Sequence, residues 1–160
     1  MSFRIGFGMD VHRLVRGRDL YLGGVLIPSD SGAEGHSDAD VMIHAICDAL
    51  LGAANLGDIG QHFPDSDPAL QGIDSKLILK QVLAMVGAHN YDIVNLDVML
   101  ALQKPKISPY INAMKNTLAD VMGVDEGQLS IKATTTEHLG YEGRAEGITC
   151  YAVALIQNNL

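Results

Sequence analysis

The period of apolar and polar positions divides the chain into strands and helices. Residues 3–12, FRIGFGMDVH, read as a strand; i and i+2 share a face there, so Gly6, Gly8, Asp10 and His12 line one side. A hairpin follows, in which Tyr21-Leu22 turns at Gly23-Gly24 into Val25-Leu26-Ile27 and Pro28 ends the strand. The first helix, capped by Ser37 or Asp38, runs through 38–54. At ~100° per residue, Met42, Ala45, Ile46, Ala49 and Leu50 form one apolar stripe. Asp40, His44 and Asp48 stack on the opposite side as a polar row flanked by Ile43 and Cys47, so this helix is expected to be buried on most sides. Residues 57–73 carry Gly, Pro and Asp without a period and read as a long loop, of the kind that is functional or mobile. A second helix covers 74–87, capped by Asp74 or Ser75 and closed by Gly87. Strict alternation over 93–103 marks a strand. Ser108-Pro109 opens a third helix with Ile111, Met114, Leu118 and Val121 as its core stripe, and Gly123 ends it. Strands at 128–135 and 147–157 complete the order β, ββ, α, α, β, α, β, β. That order predicts an α+β fold, a mixed sheet with helices on one face, and leaves the strand order open.

Composition narrows the class. A chain of 160 residues, 48% hydrophobic, fits one globular domain spanning 1–160. With no Trp and few aromatics, its core must come from Leu, Ile, Val, Ala and Met. The net charge of −8, from 19 acids against 11 Lys and Arg, argues against nucleic acid, which needs a basic face. It leaves room for a small phosphorylated ligand held through metal ions and backbone N–H groups. Cys47 and Cys150 lie in apolar runs and read as buried free thiols of a reducing compartment. The opening MSFRIGFGMD lacks the regions of a signal peptide, and no apolar run reaches ~18 residues. A soluble cytoplasmic protein, away from membranes, is the expectation.

Three clusters carry candidate chemistry. A catalytic zinc takes three ligands from His, Asp, Glu or Cys and keeps a fourth position open. Asp10 and His12 offer two from one strand face, and His44 offers a third from the polar row of the first helix. Asp48, one turn on, is expected to accept the other ring N–H of a ligating histidine. A chance Asp-x-His pair and a satisfied core histidine fit the same spacing. In GHSDAD, 35–40, Gly35, His36 and Ser37 precede a helix N-terminus, where N–H groups suit an anion; plain capping fits as well. In KATTTEHLG, 132–140, threonines at a strand end can cradle a diphosphate and Glu137 can hold a hard cation such as Mg²⁺; a solvated turn is the plainer alternative. Lys104 and Lys106 in QKPKIS add positive charge near another helix start or are simply surface.

Taken in order, RIGFGMDVHRL, GGVLIP, GHSDADVMIHAICDALLGAANLGDIGQHFPDSDP, VDEGQLSIKATTTEHLGYEGRAEGI and AVAL resemble the 2-C-methyl-D-erythritol 2,4-cyclodiphosphate synthases over essentially the whole chain. The resemblance implies a lyase of the non-mevalonate isoprenoid pathway. Such an enzyme converts 4-diphosphocytidyl-2-C-methyl-D-erythritol 2-phosphate to the cyclic diphosphate and releases CMP. It also implies a homotrimer with three sheets around a central cavity and active sites between subunits. By position, Asp10, His12 and His44 match zinc ligands, and Glu137 matches the ligand of a second cation, Mg²⁺ or Mn²⁺. His36 and Ser37 match 2-phosphate contacts, and His36 and Thr135 match transition-state stabilisers. Asp58, Ile59 and Gly60 match the methylerythritol site, and Phe63 to Asp67, with Asp65, a flexible flap. Leu102, Lys104, Pro105, Lys106, Ile107 and Ser108, with Thr134, Thr135 and Thr136, match a cytidine pocket supplied by a neighbouring subunit. Tyr141 matches a substrate-binding position, as does Arg144, an arginine facing the trimer cavity.

The chain departs from the family pattern at Phe7, where His is frequent, at Met9, where Phe is common, and at Tyr151, where Glu is often found. None is a metal ligand; all bear on what the cavity holds. Two rival readings share many of the same residues. A zinc-dependent phosphoester hydrolase would need Asp40 or Asp58 to activate water, and a non-catalytic trimer would bind a nucleotide or isoprenoid phosphate.

Overall fold

A computed structural model describes residues 2–159. Strand β1 (Phe3–Arg16) is followed by β2 (Leu20–Leu22), β3 (Val25–Ile27) and β4 (Ser31–Ala33). Helix α1 (Val41–Ala53) leads through the one-turn α2 (Ile59–His62) to α3 (Ser75–Ala88) and β5 (Tyr91–Ala101). Then come α4 (Ile111–Met122), β6 (Leu129–Thr134), the one-turn α5 (Gly140–Gly143) and β7 (Gly147–Asn158). The five-stranded sheet runs β4-β1-β7-β5-β6, and β2 and β3 pair separately. Among the described residues β5 and β6 pair in parallel and the other strand pairs are antiparallel. The sheet is therefore mixed, as the element order predicted.

Helices α1, α3 and α4 cover one face. Leu96, Val98 and Leu100 of β5 and Ile148, Cys150, Ala152, Ala154 and Ile156 of β7 point into that core. They meet the α1 stripe Met42, Ala45, Ile46, Ala49 and Leu50, all fully buried, and Ile43 and Cys47 are buried too. Both cysteines are free thiols, as expected. The opposite sheet face is apolar but exposed: Phe3, Ile5, Phe7, Met9 and Val11 of β1 stand beside Tyr151 and Val153 of β7, with Ile5 at 73% and Phe7 at 62%. The Phe7 and Tyr151 rings stack with centroids 6.4 Å apart. A contiguous apolar face of this kind marks an interaction surface.

Several boundaries differ from the sequence reading. Helix α1 begins at Val41, capped by Asp40 rather than by Ser37 or Asp38. Ala39 takes a left-handed φ of 57°, which breaks the helix before that point. Asp40 is fully buried, and its carboxylate accepts the N–H groups of Ile43, Gly23 and Gly24. One carboxylate thus caps the helix and fixes the β2–β3 turn. The segment 57–73 is not structureless: Asp58 caps α2 and Asp67 caps a 3₁₀ turn at Pro68–Leu70. The third helix opens with a 3₁₀ turn at Ser108–Tyr110 before α4, and Gly123 closes it at φ 66°. The extension of β1 to Arg16, the edge strand β4 and α5 left no readable signal. Leu14, Val15 and Arg16 pair with Ala33, Gly32 and Ser31, a non-local match without a periodic trace.

Candidate metal centre and cleft

Two glycines bring the ligands together. A Cβ on Gly6 would lie 1.8 Å from the Ala49 carbonyl oxygen, and one on Gly8 would lie 1.9 Å from that of Ala45. Helix α1 therefore rests its backbone directly on β1. His44, next to Ala45, lands beside Asp10 and His12 two and four residues beyond Gly8. Asp10 Oδ2 lies 2.9 Å from His12 Nε2 and 3.1 Å from His44 Nδ1, and the two ring nitrogens are 3.3 Å apart. A tetrahedral ion with bonds of about 2.0–2.1 Å separates its ligands by about 3.3–3.4 Å. The triangle fits three vertices of such a tetrahedron, and two imidazoles with one carboxylate suit zinc or a related transition ion rather than calcium. Among the described residues, these three form the one such group of His, Cys, Asp or Glu side chains.

Both histidines are oriented from behind. His12 Nδ1 donates to the Glu34 carbonyl at 2.8 Å, which leaves Nε2 for the ion. His44 Nε2 lies 2.9 Å from Ser75 Oγ and 3.2 Å from Ser37 Oγ, which leaves Nδ1. Burial opposes charge on Asp10, but hydrogen bonds and charge from His12 and His44 outweigh it and hold the carboxyl at about 2. Burial likewise pushes His12 down, and its bond to Asp10 raises it above the ordinary histidine value.

The expectation for Asp48 is corrected. Its carboxylate accepts the Ile59 N–H at 2.7 Å and so ties α1 to α2. Burial and the neighbouring Asp58 and Asp10 charges push its carboxyl up. Its place behind His44 is taken by Ser75, on another helix.

The centre lines a cleft of about 610 Å³ whose wall includes His36, Ser37, Ile59, Gly60, Phe63 and Asp65. His36 Nε2 lies 3.2 Å from the Asp67 carbonyl, and the His36 carbonyl accepts the Gly72 N–H at 2.7 Å, so segment 67–72 is tied to His36 at both ends. Asp58 and Asp67 fall outside the lining and spend their carboxylates on caps. The other predicted residues do not line this cleft within the chain. The Leu102 N–H donates to the Thr134 carbonyl, and the His138 N–H donates to Gln103 Oε1, joining the two segments. Leu102 and Ile107 are buried in the core, whereas Thr134, Thr135 and Glu137 are exposed. Glu137 and His138 both hold left-handed φ values, 53° and 63°, and such strain gathers at functional turns. Tyr141 Oη contacts Thr149 Oγ1 at 2.5 Å, and Arg144 pairs with Glu146 on the surface at 2.9 Å. The sequence reading missed Glu34, Asp38 and Ser75. Glu34 acts through its carbonyl, which no side chain advertises, and Ser75 was visible only as a helix cap.

Comparison with known proteins identifies the family. Residues 3–157 match the YgbB family. The chain is 56% identical over 154 residues to the 2-C-methyl-D-erythritol 2,4-cyclodiphosphate synthase of Chloroherpeton thalassium, covering 96% of this chain and 98% of that protein. Among solved structures it is similar to the bifunctional IspDF of Campylobacter jejuni, at 38% identity and a TM-score of 0.95, covering 98% of this chain and 42% of that one. It is also similar to a CDP complex of IspF from Plasmodium falciparum, at 34% identity and a TM-score of 0.87, covering 99% of this chain and 98% of that one. Among the described residues no helix is long and apolar enough to cross a membrane. The α+β chain with its Asp10–His12–His44 centre belongs to the YgbB family of 2-C-methyl-D-erythritol 2,4-cyclodiphosphate synthases.

Proposed function

We propose that this chain is a lyase that converts 4-diphosphocytidyl-2-C-methyl-D-erythritol 2-phosphate to 2-C-methyl-D-erythritol 2,4-cyclodiphosphate with release of CMP, in non-mevalonate isoprenoid synthesis in the cytoplasm. The observation that carries it is the Asp10–His12–His44 triangle, with tetrahedral spacing, opening on a cleft edged by His36 and Ser37. Asp10, His12 and His44 hold Zn²⁺, and Glu137 holds a second cation, Mg²⁺ or Mn²⁺. Bound there, these ions supply Lewis-acid polarisation of the phosphate oxygens.

The protein's own part is placement. An oxygen of the 2-phosphate forms a bond to the β-phosphorus. The bond from that phosphorus to the α-phosphate oxygen breaks, and CMP leaves with the electron pair. Phosphoryl transfer of this kind needs alignment and charge stabilisation rather than a protein nucleophile. His36 and Ser37 hold the 2-phosphate, and His36 and Thr135 stabilise the charge that develops at the transferred group. Asp58, Ile59 and Gly60 receive the methylerythritol part under the flap from Phe63 to Asp67. Leu102 to Ser108 and Thr134 to Thr136 receive the cytidine; Tyr141 and Arg144 are further substrate-binding positions, Arg144 facing the trimer cavity.

A homotrimer completes the site, the cytidine group of one copy meeting the metal centre of the next, and residues 1–160 act as one domain. The exposed apolar sheet face supports this, since packing three such faces around a cavity removes them from water. The hydrolase reading is weakened because Asp40, one of its two candidate bases, is buried with its carboxylate filled by three N–H donors. Asp58, the other, caps α2.

Phosphorus NMR of the protein with the 2-phosphate substrate, Zn²⁺ and Mg²⁺ tests the reading. Two coupled signals of a cyclic diphosphate together with CMP, abolished by chelator, are expected. Free phosphate would move the assignment to a hydrolase, and no turnover would move it to a binding protein. His44→Ala should fold but lose both zinc and activity.

A further inference from the structure

We propose that Ser75 and Asp38 form a positioning pair that fixes the tautomer and ring plane of His44. The proposal rests on the reading of Asp10, His12 and His44 as a zinc centre. The pair comes from two separate elements. Ser75 opens α3 and is fully buried. Asp38 lies in the segment before α1, and its carboxylate receives three donors: the Asp40 N–H at 3.2 Å, the Ser75 N–H at 3.0 Å and, at short range, the Ser75 hydroxyl.

Donor arithmetic then forces the tautomer. An ionised carboxylate only accepts, so the Ser75 hydroxyl spends its one proton on Asp38. Ser75 Oγ can then only accept from His44 Nε2, 2.9 Å away. Nε2 must therefore carry a proton, which leaves Nδ1, 3.1 Å from Asp10 Oδ2 and 3.3 Å from His12 Nε2, as the nitrogen turned to the metal position; in the metal-free protein Nδ1 faces the Asp10 carboxylate, which only accepts. Ser37 lies at 3.2 Å from the same Nε2, but its oxygen already takes the Ala39 N–H, and its proton has no carboxylate to bind. Ser37 is therefore free for substrate while Ser75 is committed to His44. The arrangement parallels His12, whose Nδ1–H is held by the Glu34 carbonyl. The difference is that His44 is held by a hydroxyl from α3 that is itself bound to a carboxylate from the segment before α1, so the α1–α3 contact is built into the ligand.

Partners behind a ligating histidine typically contribute 10–100-fold to metal affinity. The test uses the full-length chain. Zn²⁺ affinity is measured by competition with a chromogenic chelator, and the tautomer by long-range ¹⁵N–¹H NMR of the metal-free, histidine-labelled protein. Wild type should show His44 protonated at Nε2. Ser75→Ala should keep a dispersed, folded spectrum, mix the two tautomers and weaken Zn²⁺ binding about 10–100-fold. Ser75→Thr should restore both, and Ser37→Ala should leave the tautomer as it is. Asp38→Asn, which keeps an acceptor and removes the charge, should fall between wild type and Ser75→Ala. An unchanged tautomer and affinity in Ser75→Ala would overturn the pairing and leave the zinc centre standing. A wild type that takes up no Zn²⁺ would sink the zinc centre. The metal-free spectrum still decides the pairing in that case: protonation at Nε2 in wild type and its loss in Ser75→Ala uphold it, and any other pattern removes it.

Discussion

Gly8→Ala should dismantle the metal centre from a position that touches no ligand. The new Cβ would sit 1.9 Å from the Ala45 carbonyl oxygen and 2.7 Å from the Ala49 nitrogen, both backbone atoms of α1. An unstrained carbon–oxygen contact needs about 3.3 Å. Helix α1 must therefore retreat from β1 by about 1.4 Å, because neither contact is a side chain that can rotate away. His44 travels with the helix, while Asp10 and His12 stay on the strand. Metal–ligand distances tolerate about ±0.2 Å, so the ligand triangle would open well beyond what one ion can span. Overpacking of this kind typically costs about 1–3 kcal/mol, and a backbone clash across the central helix belongs at the upper end. Gly52→Ala is the matched control. It lies on the same helix, and its Cβ would have nothing nearer than the Phe7 carbonyl at 4.0 Å. That change should stabilise the protein by about 0.5–1 kcal/mol through helix propensity alone. Urea denaturation and bound zinc, measured on the three proteins side by side, decide the matter. A Gly8→Ala protein as stable as wild type, with full zinc, would refute the claim that β1–α1 contact sets the centre.

Three further outcomes follow from the same geometry. Thr135→Ala should lower turnover more than it weakens CMP binding, and steady-state kinetics with an unchanged kcat would remove its transition-state role. Sedimentation should give a mass near three chains, and an active monomer would contradict a site shared between copies. In the metal-free protein, the histidines hold Asp10 at about 2 against 3.8, so its contribution to stability is present above the unfolded value and lost as the pH falls through about 2. The stability gap between wild type and Asp10→Asn should shrink by about 2 kcal/mol between about pH 5 and pH 2. A gap that holds constant in denaturation curves across that range would contradict the depressed carboxyl.

The sequence by itself determined whatever depends on local period. The two-residue repeat of a strand put Gly6, Gly8, Asp10 and His12 on one face, and the helical repeat put His44 opposite the Met42–Leu50 stripe. Both follow from backbone geometry within one element, so they were readable without a fold. Three candidate ligands are legible in the sequence for that reason. Tertiary structure alone decided what joins them. Asp48 shares a helix face with His44, yet its carboxylate reaches Ile59, because α2 folds back over it. Ser75, 31 residues from His44 in sequence, fills the position behind the ring. Asp40 looked like one member of a polar row, but it is the N-cap of α1 and the holder of the Gly23–Gly24 turn. The strand order, the edge strand β4 and the absence of Thr134–Glu137 from the cleft lining belong to the same class. Hydrogen bonds and contacts between distant segments leave no periodic trace in a chain, because each partner satisfies local rules equally well in many arrangements. Packing selects among them only when the whole core closes.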